Sequence, residues 1–402
     1  MYDRHCEGAL ATATLINEDV ENRWRLVDEV VAANSERMVN AFRTSGLASL
    51  DLMGSTGYGY QDRGRELLDQ VVARVFGCSR ALIRAQWASG THAIATALKA
   101  LAKPGRRIWL AGGWPYDTIR PTFRALENKG VTIAMLAGGE GVNHLSDCEL
   151  NRGDLLYIQR SRGYSNRPSW GQEQIEPLIS WAHSRGGQVM VDNCYGEFTQ
   201  TTEPGHWGAD LVVGSLMKNP GGSIAPTGAY VAGTDPMIEA VADELFAPGI
   251  GAEVGATGPY LRLFAQGFFL APQLVGEALK GGLYISQAAE QQGIVSDPPA
   301  HEVSRNDIVV ALELGTPERV ITFCQVLQSW QPVDGFVRPE PWDMPGYDHP
   351  VIMAAGGFVA GGSLELSADA PIRPPYRVYV QGGINHWHTK LAIDDALQAL
   401  AL

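Results

Sequence analysis

A carboxylate and an amine follow two neighbouring apolar runs in this sequence. The run Gln188–Val191 leads into Asp192, and the run Asp210–Val213 leads through a short turn to Lys218. Both runs are too short for a buried helix and are rich in β-branched residues, so they predict buried parallel strands. Ligands gather at the carboxyl ends of such strands, and the two side chains are therefore expected at one edge of a sheet.

The pair Asp192 and Lys218, separated by 218 − 192 = 26 residues, fits the chemistry of pyridoxal phosphate. A lysine forms a Schiff base with the aldehyde of this cofactor, and a carboxylate keeps its pyridine nitrogen protonated, so that the ring can accept electrons. Taken singly, such a lysine is usually solvated and such an aspartate usually caps a turn. Their combination and order favour the cofactor site.

A phosphate site is predicted at the start of a helix. The strand Ala81–Ala85 leads to Ser89, Gly90 and Thr91, and the helix Ala93–Ala102 follows. A serine or threonine can cap this helix, and the glycine lets the backbone approach a ligand closely. Free N–H groups at a helix start bind anions, although any capped helix could show the same pattern.

Other candidate groups lie at further strand ends. The strand Arg107–Ala111 precedes Tyr116, which we expect to stack on the cofactor ring, with Trp114 as the second choice. The strand Asp154–Gln159 leads into a loop with three arginines, of which Arg160 is a candidate for substrate binding. Core packing remains the alternative for the aromatics, and a solvated basic loop remains the alternative for the arginines.

Two loops outside these strand ends also carry groups that bind anions. The glycine-rich segment 54–65 contains Tyr58, Tyr60 and Arg63, although its composition alone favours a flexible turn. Near the end of the chain, Arg373 lies between prolines in a stiff segment. A rigidly mounted guanidinium is a good bidentate partner for a substrate carboxylate.

The predicted elements indicate an α/β fold with a large mixed sheet flanked by helices. We divide the chain into a helical N-terminal arm at 1–55, a large domain at 56–295 and a small α+β domain at 296–402. A helix is predicted at Leu15–Val31, and the small domain shows strand-like runs at Ile308–Glu313 and Arg377–Gln381. The seven predicted strands of the large sheet begin near residues 81, 107, 131, 154, 188, 210 and 228.

Composition limits the possible partners. The 402 residues include 44 acidic and 31 basic ones, a formal charge of −13, which argues against nucleic acid and anionic membranes. No apolar run is long enough to cross a bilayer. Five scattered cysteines without CxxC pairs favour reduced thiols in a cytoplasmic protein, and no metal site is expected. Among them, Cys194 is interpreted as a small buried residue and not as a nucleophile.

Several runs together resemble one family. They are GYGYQDRGR, SGTHAI, PYDT, QRSRGYS, VDNCYGEF, GSLMKNPGG, APTGAYV, APGIG, MPGY and ELSAD–PIRPPY, in order from about Tyr58 to His388. The sequence is similar to the methionine γ-lyase-like family, whose members are often labelled aluminium-resistance proteins. This family belongs to the cystathionine-lyase branch of fold-type-I pyridoxal-phosphate enzymes. The resemblance implies that fold, with a mostly parallel seven-stranded sheet.

The resemblance also implies roles for individual residues. Lys218 would carry the cofactor, Asp192 would hold the pyridine nitrogen, and Tyr116 would stack on the ring. Arg373 would bind the α-carboxylate of an amino-acid substrate. The phosphate would lie among Ser89, Gly90, Thr91 and Ser215. Tyr58 or Tyr60 and the loop arginine, Arg63, would reach over from a second subunit, which implies a homodimer or homotetramer with shared active sites.

The implied activity is elimination or replacement at Cγ through a vinylglycine-type intermediate. Methionine, cystathionine, an activated homoserine and S-adenosylmethionine are candidate substrates. Met217 replaces a common hydroxyl residue before the lysine, and the indoles of Trp87 and Trp114 raise the possibility of a bulky second substrate. An aminotransferase is the main alternative because it would use the same lysine and aspartate. A non-catalytic stress-related relative is the third, disfavoured by the intact pair.

Overall fold

The computed structural model describes residues 18–136, 148–344 and 347–401. The predicted helix start at Leu15 lies outside these residues, as do Cys6 and the Pro345 and Gly346 of the MPGY run. The helices are α1 Glu18–Ser45, α2 Arg63–Phe76, α3 Gly90–Leu101, α4 Arg120–Glu127, α5 Gln172–Ser184, α6 Asp235–Leu245, α7 Tyr260–Gln291, α8 Pro317–Ser329 and α9 His386–Ala399.

The larger sheet has seven strands, as the sequence predicts. They are β1 Arg80–Arg84, β2 Arg107–Ala111, β3 Thr132–Met135, β4 Leu155–Gln159, β5 Gln188–Asp192, β6 Leu211–Ser215 and β7 Ala229–Gly233. Their order is β1-β7-β6-β5-β4-β2-β3, and β7 runs antiparallel to both of its neighbours. The other pairs are parallel, so β5 and β6 end side by side.

The strands β4, β6 and β7 are buried along their whole length, which explains their continuous apolar sequences. Helices cover both faces of the sheet, and two separate groups of buried apolar residues pack between the helices and the sheet. A parallel sheet buried on both faces loses the alternation of polar and apolar residues that marks a half-exposed strand. The sequence runs that predicted these strands therefore had to be recognised by length and β-branching.

The first helix, α1, is longer than the predicted Leu15–Val31 and continues to Ser45. It packs along α7, where the indole Nε1 of Trp24 donates to the carbonyl of Lys280 at 3.2 Å. Gly276 of α7 allows this approach, since a Cβ there would lie 2.3 Å from a methyl of Val31. The arm is thus part of the folded core of its own chain.

A second sheet of five antiparallel strands lies within the segment predicted as the small domain. Its strands are β8 Ser296–Asp297, β9 Val309–Glu313, β10 Val351–Ala355, β11 Ser367–Pro371 and β12 Arg377–Gln381, in the order β10-β11-β12-β9-β8. The sequence analysis found β9 and β12 and predicted a helix at Pro317–Gln328, which corresponds to α8, but it missed β10, β11 and α9. The residues of β10 and β11 are largely Ala, Ser, Asp and Met, which have low or neutral strand propensity, so pairing determines their conformation.

No helix among the described residues is long and apolar enough to cross a membrane.

Two glycines fix the loop that follows β6. A Cβ on Gly267 of α7 would lie 2.1 Å from the carbonyl oxygen of Gly221. A Cβ on Gly221 would lie 1.5 Å from the carbonyl oxygen of Leu216. Backbone thus packs directly on backbone, and α7 positions the loop that contains Lys218.

The variant Gly267→Ala should lower the free energy of unfolding by about 1–3 kcal/mol, the usual effect of overpacking a core. The matched control is Gly282→Ala in the same helix, where the new Cβ would have an ordinary contact of 3.5 Å with Val310. This control should be neutral or stabilising by up to about 1 kcal/mol, because alanine has the higher helix propensity. Chemical denaturation measures both, and equal effects of the two variants would contradict the packing argument.

Candidate active site

One cavity of about 310 Å³ lies where the carboxyl ends of the parallel strands face the second sheet. Most of the predicted site residues line it: Ser89, Gly90, Thr91, Tyr116, Asp192, Ser215 and Lys218. The structure therefore brings together residues from four strand ends that are up to 129 positions apart (218 − 89 = 129).

Asp192 ends β5 at the bottom of the cavity and is 1% exposed. Its carboxylate accepts hydrogen bonds from the Tyr157 hydroxyl at 3.1 Å and from the Cys194 backbone N–H at 3.2 Å. Burial raises the pKa of Asp192, while hydrogen bonds from Cys194 and Tyr157 and the charge of Lys218 act to lower it. No ion pair joins this carboxylate to any described residue, so a protonated ring nitrogen would supply the missing positive partner.

The side chain of Cys194 lies beside Asp192 and also lines the cavity. Burial and the Asp192 charge raise the pKa of Cys194 well above its ordinary value. A thiol that is harder to ionise is a poor nucleophile. Cys194 is half-buried and not fully buried, and its raised pKa agrees with the interpretation that it is not a nucleophile.

Lys218 follows β6 and reaches across the cavity. Its Nζ donates to the carbonyl oxygen of Gly362 at 3.0 Å and lies 3.6 Å from the centre of the Tyr195 ring. The next residue, Asn219, anchors the loop, because its Nδ2 donates to the carbonyls of Tyr195 at 3.1 Å and Glu197 at 2.9 Å. The lysine is thus held at its backbone by a rigid loop and at its amine by the second sheet.

The start of α3 forms the third side of the cavity. The Ser89 hydroxyl caps the helix by accepting from the N–H of His92 at 3.1 Å. A Cβ on Gly90 would lie 2.9 Å from the Cβ of Ser215, so this close approach requires glycine. Uncapped N–H groups of a first helical turn together with hydroxyls suit a phosphate. Lys218 is the one cation among the described residues that line the cavity.

Tyr116 lies between the start of α3 and Asp192. Its hydroxyl lies 3.1 Å from Oγ1 of Thr91, and its backbone N–H donates to the side chain of Gln159 at 2.9 Å. Burial, followed by the nearby Asp192 charge, raises the pKa of Tyr116 well above its ordinary value. The ring is therefore a neutral aromatic surface, as a stacking role requires.

The prediction that Arg160 binds substrate does not fit its position. The side chain is 0% exposed, and its guanidinium donates to Asn193 at 2.8 Å and Gln200 at 2.8 Å. It also forms a buried ion pair with Glu203 at 3.7 Å. Arg160 therefore lies behind the strand ends and orients Asn193, the residue after Asp192. The sequence placed it correctly at a strand end but could not show which face it occupies.

Arg373 lies at the mouth and not in the inner cavity. It lines an adjoining cavity of about 450 Å³ together with Trp114 and Arg120. Its Nη2 donates weakly to the carbonyl of Tyr164 at 3.4 Å. The two cavities share Tyr116 and Tyr164, so a substrate can extend from the inner cavity to the arginine.

The remaining predicted residues lie away from this cavity. Tyr58 and Tyr60 are 74% and 59% exposed and stack on each other, and Arg63 forms an ion pair with Asp51. Trp87 is 0% exposed, and its Nε1 donates to Thr96 inside the core. Of the two indoles considered for a bulky substrate, only Trp114 reaches the mouth.

Sequence reasoning missed several residues that the fold brings to the cavity. Tyr195 belongs to the VDNCYGEF run, and Asp369 belongs to the ELSAD run, so motif membership was an available signal for both. Tyr157 lies inside an apolar strand, and its hydroxyl on Asp192 has no signature in the sequence. The other lining residues that had no predicted role include Tyr164, Tyr347, Tyr379, Gln381 and Gly362.

Comparison with known proteins gives relatives that match nearly the whole chain. YnbB of Bacillus subtilis (strain 168) is 40% identical over 416 residues, covering 100% of this chain and 99% of YnbB. The crystal structure of a carbon-sulfur lyase involved in aluminium resistance from Clostridium novyi NT has a TM-score of 0.88 and 38% identity, covering 97% of this chain and 94% of that one. CalE6, a methionine gamma lyase from Micromonospora echinospora, shares the fold with a TM-score of 0.57 at 18% identity, covering 85% of this chain and 86% of CalE6.

A lysine and a buried carboxylate at adjacent strand ends, with a capped helix start beside them, suit a pyridoxal-phosphate-dependent enzyme of fold type I, and the relatives place it among the carbon–sulfur lyases. The family model for methionine gamma-lyase matches residues 10–401. The chain belongs to the methionine gamma-lyase family, which confirms the resemblance found in the sequence.

Borohydride reduction of the protein loaded with pyridoxal phosphate should attach the cofactor covalently to the peptide that contains Lys218. Lys218→Ala should lose this attachment while still holding the cofactor through the phosphate corner. The control Lys99→Ala changes an exposed lysine on α3 and should keep the label. Mass analysis of the peptides measures the site, and a label on another lysine of the native protein would overturn the assignment.

Proposed function

We propose that this lyase catalyses elimination or replacement at Cγ of an amino acid. The observation that supports it most directly is that Lys218 and Asp192 face one cavity, with a single ammonium near the site where substrate carbons would lie. Pyridoxal phosphate supplies an electron sink when bound. Candidate substrates are methionine, cystathionine, an activated homoserine and S-adenosylmethionine. The alternative is an aminotransferase, which requires the same two residues.

In this proposal Lys218 moves protons between Cα, Cβ and its own Nζ. Its amine lies against the Tyr195 ring and the Gly362 carbonyl, contacts that a flexible lysine side chain can exchange as it swings. Asp192 stays ionised and holds the cofactor ring, with Tyr157 and Cys194 fixing its orientation. A base that reaches two neighbouring carbons suits Cγ chemistry.

Cofactor binding rests on the three sides of the cavity. Ser89, Gly90, Thr91 and Ser215 would hold the phosphate, and Tyr116 would cover the ring. The Ser215 hydroxyl already accepts from the N–H of Met217 at 3.2 Å, so its proton is available to a phosphate oxygen. Because Met217 supplies no hydroxyl, the phosphate would lack one hydrogen-bond donor. It would also lack a positively charged partner from the chain that binds it.

A second subunit would supply that missing cation. Tyr58 and Tyr60 lie on the surface in the loop before α2, and Arg63 is the first residue of that helix. The apolar side chains of Leu50 and Met53, a few residues earlier in the chain, are 79% and 72% exposed. Large exposed apolar residues close to a charged loop favour an interface between copies. We therefore propose a homodimer or homotetramer in which this loop completes the phosphate site of its neighbour.

Mixed oligomers test the shared site. Lys218→Ala and Tyr60→Ala should each be inactive alone, while co-assembled mixtures should regain part of the activity, because mixed dimers contain one intact site. A mixture of two different Lys218 variants is the control and should stay inactive. Activity assays after refolding together provide the measurement. Full activity of a monomer at high dilution would contradict this arrangement.

Proton exchange in heavy water tests the proposed chemistry. A slow substrate without a γ-leaving group, such as norvaline, should take up deuterium at both Cα and Cβ, because Lys218 has to remove both protons before a group at Cγ departs. Nuclear magnetic resonance of the recovered amino acid measures the exchange. Exchange at Cα alone, with build-up of the amine form of the cofactor, would favour the aminotransferase.

Two of the four arginines that line the outer cavity, Arg373 and Arg120, allow a matched comparison in the same assay. Arg373→Ala should raise the substrate concentration needed for half-maximal exchange, since it removes a charge-assisted bond to the α-carboxylate of about 1.5–3 kcal/mol. Arg120→Ala is the control, because Arg120 is already paired with Asp117 at 2.7 Å. Equal effects of the two variants would mean that the α-carboxylate binds elsewhere.

A further inference from the structure

A second carboxylate, that of Asp369, faces the cavity from the second sheet. Asp369 is the central residue of β11 and pairs with Met353 of β10 and Tyr379 of β12. All three side chains line the cavity, so register alone directs the carboxylate inward. The proposed lyase roles of Lys218 and Asp192 do not use this residue.

The partners of Asp369 do not neutralise its charge. The Tyr164 hydroxyl donates to Oδ2, and the Gln381 side chain donates to Oδ1 at 3.4 Å. Burial raises the pKa of Asp369, whereas the Tyr164 hydroxyl and the Lys218 ammonium act to lower it. Lys218 is the one cation among the described residues that line this cavity. Asp369 is half-buried at the cavity wall, where reduced access of water favours a positively charged partner.

Four tyrosines, Tyr164, Tyr195, Tyr347 and Tyr379, line the same cavity as this carboxylate. The ring centres of Tyr164 and Tyr379 lie 5.1 Å apart, and those of Tyr164 and Tyr347 lie 5.9 Å apart. The Tyr195 ring lies nearby with the Lys218 ammonium at 3.6 Å from its centre. Faces of aromatic rings attract cations, and an enclosure of several rings is the arrangement that binds alkylated ammonium groups.

The ammonium of Lys218 already lies among these groups, so this side of the cavity is compatible with a cation. It contacts the Tyr195 face and the Gly362 carbonyl, and it opposes the charge of Asp369. With Lys218 joined to the cofactor, or acting as a neutral base toward the substrate, its nitrogen would no longer serve these groups as a free ammonium. The carbonyl, the ring faces and the carboxylate are then available to a positive charge on the substrate.

We infer that the inner cavity selects an amino acid whose side chain carries a sulfonium, and that Asp369 with its surrounding tyrosines recognises this charge. The inference rests on the proposed Cγ chemistry and names its substrate class. A sulfonium has the charge and the alkyl surface that suit a carboxylate among aromatic rings. Anionic leaving groups, such as those of acylated or phosphorylated homoserine, would meet the Asp369 charge and bind poorly.

A sulfonium also simplifies the departure step. When the Cγ–S bond breaks, sulfur takes the electron pair and leaves as a neutral thioether, so it needs no proton. Elimination thus yields a thioether, an unsaturated amino-acid chain and one proton, which Lys218 accepts. Such a site needs a group that stabilises the positive charge of the sulfonium before the thioether leaves. It needs no acid to protonate the leaving sulfur.

Binding of a matched pair of amino acids tests the inference on the cofactor-loaded enzyme. S-Methylmethionine carries the sulfonium, and 2-amino-5-methylhexanoic acid has the same shape with a neutral carbon in place of sulfur. Calorimetric titration of each, at low temperature to slow turnover, should give a dissociation constant about 10- to 100-fold lower for the sulfonium, the range of one charge-assisted contact. Equal constants would overturn the inference without any variant.

Two variants assign the preference to Asp369. Asp369→Asn keeps the shape and removes the charge, and it should reduce the preference for the sulfonium about 10-fold or more. Asp117→Asn alters another carboxylate that lines the same cavity but is already paired with Arg120, so its preference should stay close to that of the unmodified enzyme. A preference that persists in Asp369→Asn would remove Asp369 from the assignment.

The same samples separate this inference from the proposed function. If norvaline exchanges deuterium at Cα and Cβ but the enzyme does not prefer the sulfonium, Cγ chemistry is retained and the sulfonium site is refuted. Tight sulfonium binding without exchange at Cβ would retain the cation site and refute Cγ chemistry.

Discussion

Three carboxylates line the central cavity, and two of them, Asp192 and Asp369, share one lysine, because the third, Asp117, is paired with Arg120. Asp192 lies at the end of β5 in the large sheet, and Asp369 lies in β11 of the second sheet. Each is held by neutral donors, Tyr157 and Tyr164 respectively, so neither obtains a full counter-charge from them. Lys218 cannot serve both. The arrangement becomes electrically balanced when a protonated ring nitrogen meets Asp192 and a cationic substrate meets Asp369.

A buried polar network behind the strand ends keeps this geometry fixed. Arg160, paired with Glu203, orients Asn193, and Asn193 also donates to Glu203 at 3.0 Å. Glu197 lies in the same region, and burial raises its pKa well above the ordinary value. Gly214 of β6 leaves room for it, because a Cβ there would lie 2.3 Å from its Oε1. Such networks cost desolvation energy, and their gain here is a single orientation of the residues beside Asp192.

The two sheets contribute different groups to the cavity. The large sheet and the start of α3 provide groups for a flat anionic cofactor, while the second sheet provides Asp369, the tyrosines and Gln381. Arg373 lies further out, at the mouth that both cavities share through Tyr116 and Tyr164. In the proposed binding mode, a substrate amino acid would meet a positive group near its carboxylate and a negative group near its side chain. This separation of charge along the cavity is a property of how the sheets face each other.

The sequence by itself determined the seven strands of the large sheet, the lysine and aspartate at adjacent strand ends, and the capped helix start. Each of these follows from local chemistry: β-branched runs, turn residues and a helix cap act within a few residues. Tertiary structure alone decided that Arg160 lies behind the sheet, that Trp87 is a core residue, and that Asp369 faces Lys218. Trp87 and Arg160 follow strand ends, where long-range packing decides which way a side chain turns. The position of Asp369 depends on strand register, and a one-residue shift in register would turn its side chain to the other face of the sheet. Because β10 and β11 are specified by pairing more than by propensity, the substrate side of the cavity could not be predicted from the sequence.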